Sequence, residues 1–156
     1  MEYQISIRQS EPTHTAVIRS RLRPEELSKF VQAACGEVWS FARSAGLPKP
    51  GRHVALYLND GQGSVEVGAE VVEKFTCNDR VQCSQLPVGR VATAVHLGPY
   101  GRLGATHSAI REWCVQHGHR LSGISWEIYG HWQESWDADP SKIRTDVFYL
   151  LDDQTT

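Results

Sequence analysis

The sequence predicts an α+β fold made by duplication: a β-β-α-β-β plan written twice, with antiparallel sheets, two packed helices and a central cleft. Three observations predict it. Apolar and polar residues alternate in eight short runs, the period of a half-buried strand. Two longer stretches carry apolar residues every three or four positions, the period of an amphipathic helix. Short motifs also recur in order. Thr15-Ala16-Val17 returns as Thr93-Ala94-Val95, an offset of 78, and Phe41-Ala42-x-x-x-Gly46 returns as Trp113-Cys114-x-x-x-Gly118, an offset of 72. Gly51 and Gly123, and Tyr57 and Tyr129, keep the offset of 72. The change of offset fits a first helix, or an entry to it, longer by six residues. The chain of 156 residues is therefore read as one domain, 1–156, of two repeat units, about 1–76 and about 77–156.

The first unit opens with a strand at Tyr3 to Gln9, where Tyr3, Ile5 and Ile7 alternate with polar residues. A second strand follows at His14 to Arg21. Pro24-Glu25-Glu26 starts a helix, with Pro in the first turn and acids at the positive end of the dipole. Leu27, Phe30, Ala34, Val38, Phe41 and Ala45 mark its buried face, and Gly46-Leu47-Pro48 ends it. His53 to Asn59 is a strand, Asn59-Asp60-Gly61 a turn, and Val65 to Val72 a strand. The second unit repeats this plan. Strands are predicted at Arg80 to Leu86 and Arg90 to Leu97. Gly98-Pro99-Tyr100-Gly101 turns into a helix whose buried face is Leu103, Thr106, Ile110, Trp113 and His117. Strands then run at Ile124 to Trp132 and Thr145 to Leu151, joined by an acidic loop at Gln133 to Lys142.

Composition excludes several classes of function. A hydrophobic content of 40% argues against disorder. No apolar run approaches the roughly 20 residues that span a bilayer, and Met1 to Ser10 lacks the basic start and apolar block of a secretory signal. The expected compartment is the cytoplasm, with no membrane partner. A net charge of −2 does not suit a polyanion binder, so no nucleic-acid partner is expected. Arg19-x-Arg21-x-Arg23 is read as a solvated face or a protected sheet edge. Cys35, Cys77, Cys83 and Cys114 form no CxxC and no zinc or disulfide spacing, so they are read as reduced thiols. His117-Gly118-His119 reads as a surface turn, since no acidic or Cys ligand is spaced to complete a site. No metal or cofactor is expected.

The stretch Trp126 to Trp132 carries the chemistry. Side chains alternate along a strand, so Glu127, Tyr129 and His131 share one face, while Trp126, Ile128, Gly130 and Trp132 share the other. Both faces are too apolar for open water, and Glu is rarely buried without a partner. Repeat equivalence matches Ala55 to Glu127 and Tyr57 to Tyr129. Two tyrosines would then face each other across the cleft, with a carboxylate on one side only. Burial among rings disfavours the ionised carboxylate. A cationic guest restores it and adds about 0.5–2 kcal/mol of cation–π attraction per well-placed ring. The same carboxylate can serve as general base on a neutral electrophile, with Tyr57 or Tyr129 donating to the leaving oxygen. It can also simply accept a hydrogen bond from Tyr129 and fix the fold. Trp113, on the helix of the Glu127 unit, is a candidate wall. Tyr149, on the last strand, is another. Trp126 and Trp132 are assigned away from Glu127, and His96 is read as structural.

His96-Leu97-Gly98-Pro99-Tyr100-Gly101-x-Leu103, then Trp113, Gly118, Glu127-Ile128-Tyr129 and Thr145-Asp146-Val147, resembles the GyrI-like family. That family includes effector-binding domains of AraC-type and MerR-type regulators and stand-alone proteins such as the DNA gyrase inhibitor protein. The resemblance covers nearly all of the chain and is strongest from Val91 to Leu151. In the first unit Arg21-Leu22-Arg23-Pro24 replaces the Gly-Pro-Tyr turn. The resemblance implies a pseudo-symmetric α+β fold whose acidic cleft residue is Glu127. In multidrug-sensing members that residue meets cationic aromatic ligands, and some stand-alone members hydrolyse cyclopropane-bearing compounds. The leading expectation is a cytoplasmic protein that captures lipophilic, aromatic, often cationic compounds, with Glu127, Tyr129, Tyr57, Trp113, Ala55 and Tyr149 lining the site. The rivals are a hydrolase of electrophilic xenobiotics using Glu127 and Tyr129, and a protein-interaction module of the gyrase-inhibitor type. The chain carries no helix-turn-helix segment, so a role in transcription would need a protein partner.

Overall fold

The computed structural model describes residues 3–59 and 61–152. Among these residues eight strands and three α-helices follow one another: β1 (Ser6–Gln9), β2 (Thr13–Arg21), α1 (Leu27–Ser44), β3 (His53–Tyr57), β4 (Ser64–Glu70), β5 (Gln82–Leu86), β6 (Arg90–Leu97), α2 (Leu103–Gln116), β7 (Leu121–Tyr129), α3 (Glu134–Ala138) and β8 (Arg144–Leu151). The class is α+β, with antiparallel sheet throughout the pairings described. The predicted turn at 59–61 includes residue 60, which lies outside the described residues.

The chain divides into two compact units, and their limits differ from those of the sequence repeats. One unit is Glu11–Pro87; the other joins the residues up to Ser10 with those from Val88 onward. The first strand of each repeat has changed places. β1 pairs with β6, Ser6 opposite Thr93 and Gln9 opposite Arg90. β5 pairs with β2, Thr13 opposite Leu86 and Val17 opposite Gln82. The linkers explain it. Ser10-Glu11-Pro12 and Pro87-Val88-Gly89 each contain a proline, which holds the preceding residue extended and disfavours a tight hairpin. The chain runs on instead of folding back.

In the Glu11–Pro87 unit the strand order is β3-β4-β2-β5. Strand β2 lies between β4 and β5, but its Arg19–Arg21 end pairs with β4 alone; Arg19 and Arg21 are exposed there, as a solvated face, and Arg19 is an ion-pair partner of Glu66 at 2.9 Å. Helix α1 buries Ala34, Cys35, Val38 and Ala42. This stripe is rotated from the predicted one, leaving Ala45 exposed. Small residues let the helix lie close to the strands, and Gly68 on β4 makes a similarly close approach. A Cβ there would stand 1.8 Å from the Ala16 carbonyl oxygen.

In the other unit the order is β1-β6-β8-β7. Helix α2 packs on one face through Leu103, Ile110 and Cys114, against Ala92, Ala94, Val147, Tyr149 and Leu151. Both long helices end alike: Leu47 N–H donates to the Ala42 carbonyl, and His119 N–H to the Cys114 carbonyl. These six-residue closures pass through Gly46 and Gly118 at φ +69° and +75°, a helix stop that glycine reaches without strain. Three expectations fail here, the first being His117 on the buried face of α2: it caps the helix and is exposed. Strand β7 is Leu121–Tyr129, three residues earlier than predicted, so His131 and Trp132 lie beyond it. The acidic loop contains a short helix, α3, because Trp136 buries itself to 5% exposure and packs edge-on against Trp132.

Candidate functional site

The site is built on β7, β8 and α2 of the unit that contains Val88 onward. β7 carries a bulge: Leu121 faces Leu151, yet Ser125 already faces Tyr149. Gly123, at φ +98°, absorbs the extra length. Beyond the bulge the register is regular, with Glu127 opposite Val147 and Tyr129 opposite Thr145. Alternation then aims Ser125, Glu127 and Tyr129, with Tyr149 of β8, at the face that α2 covers. Trp126 goes to the opposite face, where it stacks on Phe148 at 5.4 Å.

Glu127 is 4% exposed and paired on both oxygens. Tyr129 O–H donates to its Oε1 at 2.5 Å, and His107 Nε2 lies 2.7 Å from its Oε2. His107 Nδ1 lies 2.6 Å from the Tyr149 hydroxyl, and the Arg111 guanidinium donates to that same oxygen at 2.9 Å. Arginine can only donate. With a neutral imidazole the relay therefore runs in one direction: Arg111 to Tyr149, Tyr149 to His107, His107 to Glu127. Tyr129 supplies the second donor to the carboxylate. Both carboxylate oxygens are thus satisfied, which is the condition for burying such a group at all.

The tyrosines differ in setting. Burial, and next the charge of Glu127, push Tyr149 above the usual phenol range, while Arg111 pulls it back. It stays a neutral phenol at physiological pH. Tyr129 is half-buried, and Tyr100 meets its ring edge-on at 5.6 Å between centroids. Thr145, opposite Tyr129, is fully buried, and its hydroxyl has no hydrogen-bond partner among the described residues. His96 is held between Thr106 Oγ1 at 2.7 Å and the Pro99 carbonyl at 3.1 Å, which ties the 98–101 turn to α2.

Of the residues singled out in the sequence, Glu127, Tyr129 and Tyr149 come together. Trp113 stands on another flank of α2, six positions or roughly 120° round from His107, packed against the core cluster and stacked on His117 at 4.1 Å. Ala55 and Tyr57 belong to β3 of the other unit, where Ala55 is fully buried and Tyr57 half-buried. His107 and Arg111 were not foreseen. Their signal was the i, i+4 spacing of two polar residues beside the apolar stripe Leu103, Ile110 and Cys114. Among the described residues no group of three metal-ligating side chains is found. No helix there is long and apolar enough to cross a membrane.

Residues 3–151 match the family described as the GyrI-like small molecule binding domain. No curated protein matches the chain in sequence. Among solved structures, the EcmrR C-terminal domain superposes with a TM-score of 0.77 at 19% identity, over 99% of this chain and 100% of that one. SAV2435, solved with tetraphenylphosphonium bound, gives 0.69 at 12% identity, over 97% and 94%. A hydrolase from Listeria innocua gives 0.58 at 11% identity, over 95% and 91%. At these identities the likeness is one of fold.

Proposed function

Because this chain belongs to the GyrI-like small-molecule binding domain family, we propose that it captures lipophilic, aromatic, often cationic compounds against Glu127. The observation that carries the reading is a carboxylate 4% exposed whose two oxygens are each held by a ring-bearing donor, Tyr129 and His107. Such a group is already desolvated and already aimed, so a cation meeting it gains attraction without first stripping water from it. The rings of Tyr129 and Tyr100 offer faces for cation–π contact. SAV2435 holds a cation of this class on the same fold. The compartment this reading implies is the cytoplasm, and it requires no contact with nucleic acid.

Calorimetric titration with tetraphenylphosphonium tests the reading. Saturable one-to-one binding that weakens strongly in Glu127→Gln supports it. Absence of binding to a panel of aromatic cations removes it.

A second reading is hydrolysis of a neutral electrophile, and one observation favours it: the Tyr149–His107 relay that orients Glu127. In this reading Glu127 takes a proton from water as the water attacks. The strained C–C bond opens, its electron pair passes to the conjugated carbonyl of the compound, and the Tyr129 hydroxyl turns from the carboxylate to donate to that carbonyl oxygen. Turnover of an electrophilic cyclopropane compound, lost by about a hundredfold or more in Glu127→Gln, distinguishes this from capture, which leaves the compound intact.

A further inference from the structure

Cys77 and Cys83 play no part in the site above, and their spacing in sequence suggested nothing. The fold brings them together. The segment from Val71 to Val81 leaves β4 and returns to β5, and two contacts hold it on α1. The Phe75 ring packs on Phe41 at 5.5 Å, and the Arg80 guanidinium pairs with Glu37 at 2.5 and 2.9 Å. Asn78 then tightens the return, its side-chain oxygen accepting from the Arg80 and Val81 amides at 2.8 and 2.6 Å. The result sets the Cys77 sulfur 3.3 Å from the backbone N–H of Cys83. The Cys83 thiol lies against the Phe75 carbonyl at 3.0 Å.

We propose that Cys77 and Cys83 form a peroxide-responsive dithiol that closes reversibly into a disulfide. Its co-reactant is a hydroperoxide. The Cys77 thiolate attacks the outer peroxide oxygen; the O–O bond breaks, and the departing oxygen takes a proton and leaves as water or an alcohol. Cys77 becomes a sulfenic acid, oxidised by two electrons. The Cys83 sulfur then attacks the Cys77 sulfur, the S–O bond breaks, and hydroxide leaves with the Cys83 proton as a second water. A thiol reductant reverses the bond.

The division of roles follows from the surroundings. Cys77 is exposed and reachable by a small peroxide. The Cys83 amide and thiol, with the charge of Arg19, hold it below the usual thiol range. Burial first, and then the Cys77 sulfur, hold Cys83 above that range, which suits a resolving thiol. Cys35 is buried and pushed up to about 11, so it does not compete. Lys74, Arg80 and Arg90 bracket the pair, so trypsin places Cys77 in residues 75–80 and Cys83 in residues 81–90.

The full chain is treated with equimolar hydrogen peroxide, alkylated and digested without reductant. The expected product is peptide 75–80 joined to peptide 81–90, released by dithiothreitol, from a monomer lighter by two hydrogens. In Cys83→Ser, Cys77 should accumulate as a sulfenic acid trapped by dimedone. In Cys77→Ser, Cys83 should remain a thiol. Iodoacetamide should modify Cys77 at least about tenfold faster than Cys35 in the folded chain. The proposal is overturned if the linked peptides do not form, if peroxide yields only dimers between chains, or if Cys83 is the residue that dimedone traps.

Discussion

Replacing Glu127 by Gln keeps the shape of the side chain and removes one charge, so the change in affinity for a cation isolates the electrostatic part of binding. The amide of Glu127→Gln retains one accepting oxygen and presents an NH₂ group to the other donor. His107 can meet that group by shifting its proton to Nδ1, so the fold should survive at a cost of about 1–3 kcal/mol. For tetraphenylphosphonium, the phenyl rings hold the central charge roughly 6 Å from the carboxylate. At an effective dielectric constant of about 20, that separation corresponds to about 2.8 kcal/mol, or about a hundredfold in Kd. Glu127 is 4% exposed, so salt should screen the effect only weakly. The assay is calorimetric titration of both proteins with tetraphenylphosphonium and with the neutral triphenylphosphine oxide, with melting temperatures checked first. The cation should lose about two orders of magnitude and the neutral compound less than about threefold. An equal loss for both, or no loss for the cation, would refute the assignment of Glu127 as counter-ion.

Four further outcomes are expected. Arg111→Gln removes the cation that donates to Tyr149, so tetraphenylphosphonium should bind several-fold more tightly, read by the same titration. Tyr149 is held above the usual phenol range by burial. The folded state therefore keeps its proton longer than the unfolded state, and the stability this supplies is complete below about pH 10 and is lost as pH rises through the folded value. Urea melts above about pH 10 should show that loss in the wild type and a flatter profile in Tyr149→Phe. Thr106→Val strands His96 Nδ1 in a fully buried position and should cost about 1–3 kcal/mol in a urea melt. Gly68→Ala drives a methyl into the Ala16 carbonyl and should cost about 3 kcal/mol or more by the same measurement, or leave the protein insoluble.

Helices, strands and their stops were legible in the sequence because each rests on short-range physics. The three-and-four spacing of Ala34, Val38 and Phe41, the glycines at 46 and 118, and the alternation along Val65 to Val71 depend only on neighbours within one or two turns. Glu127 and Tyr129 could be placed on one face for the same reason, because two residues of a strand must point alike. Partners could not be read this way. His107 lies 20 positions from Glu127 and Tyr149 lies 42 from His107, and no local rule says that α2 lays that flank over β7. The exchange of first strands was equally out of reach, since Pro12 and Pro87 say that the chain runs on but not which strand receives it. Cys77 and Cys83 looked unrelated until the Asn78 turn and the Arg80–Glu37 pair closed the segment between them. Sequence alone determined the main elements, their order and the residue at the centre of the proposed site, because those follow from periodicity and backbone sterics. Tertiary structure alone decided what surrounds that residue and which thiols meet, because contacts between distant segments are set by how the elements pack.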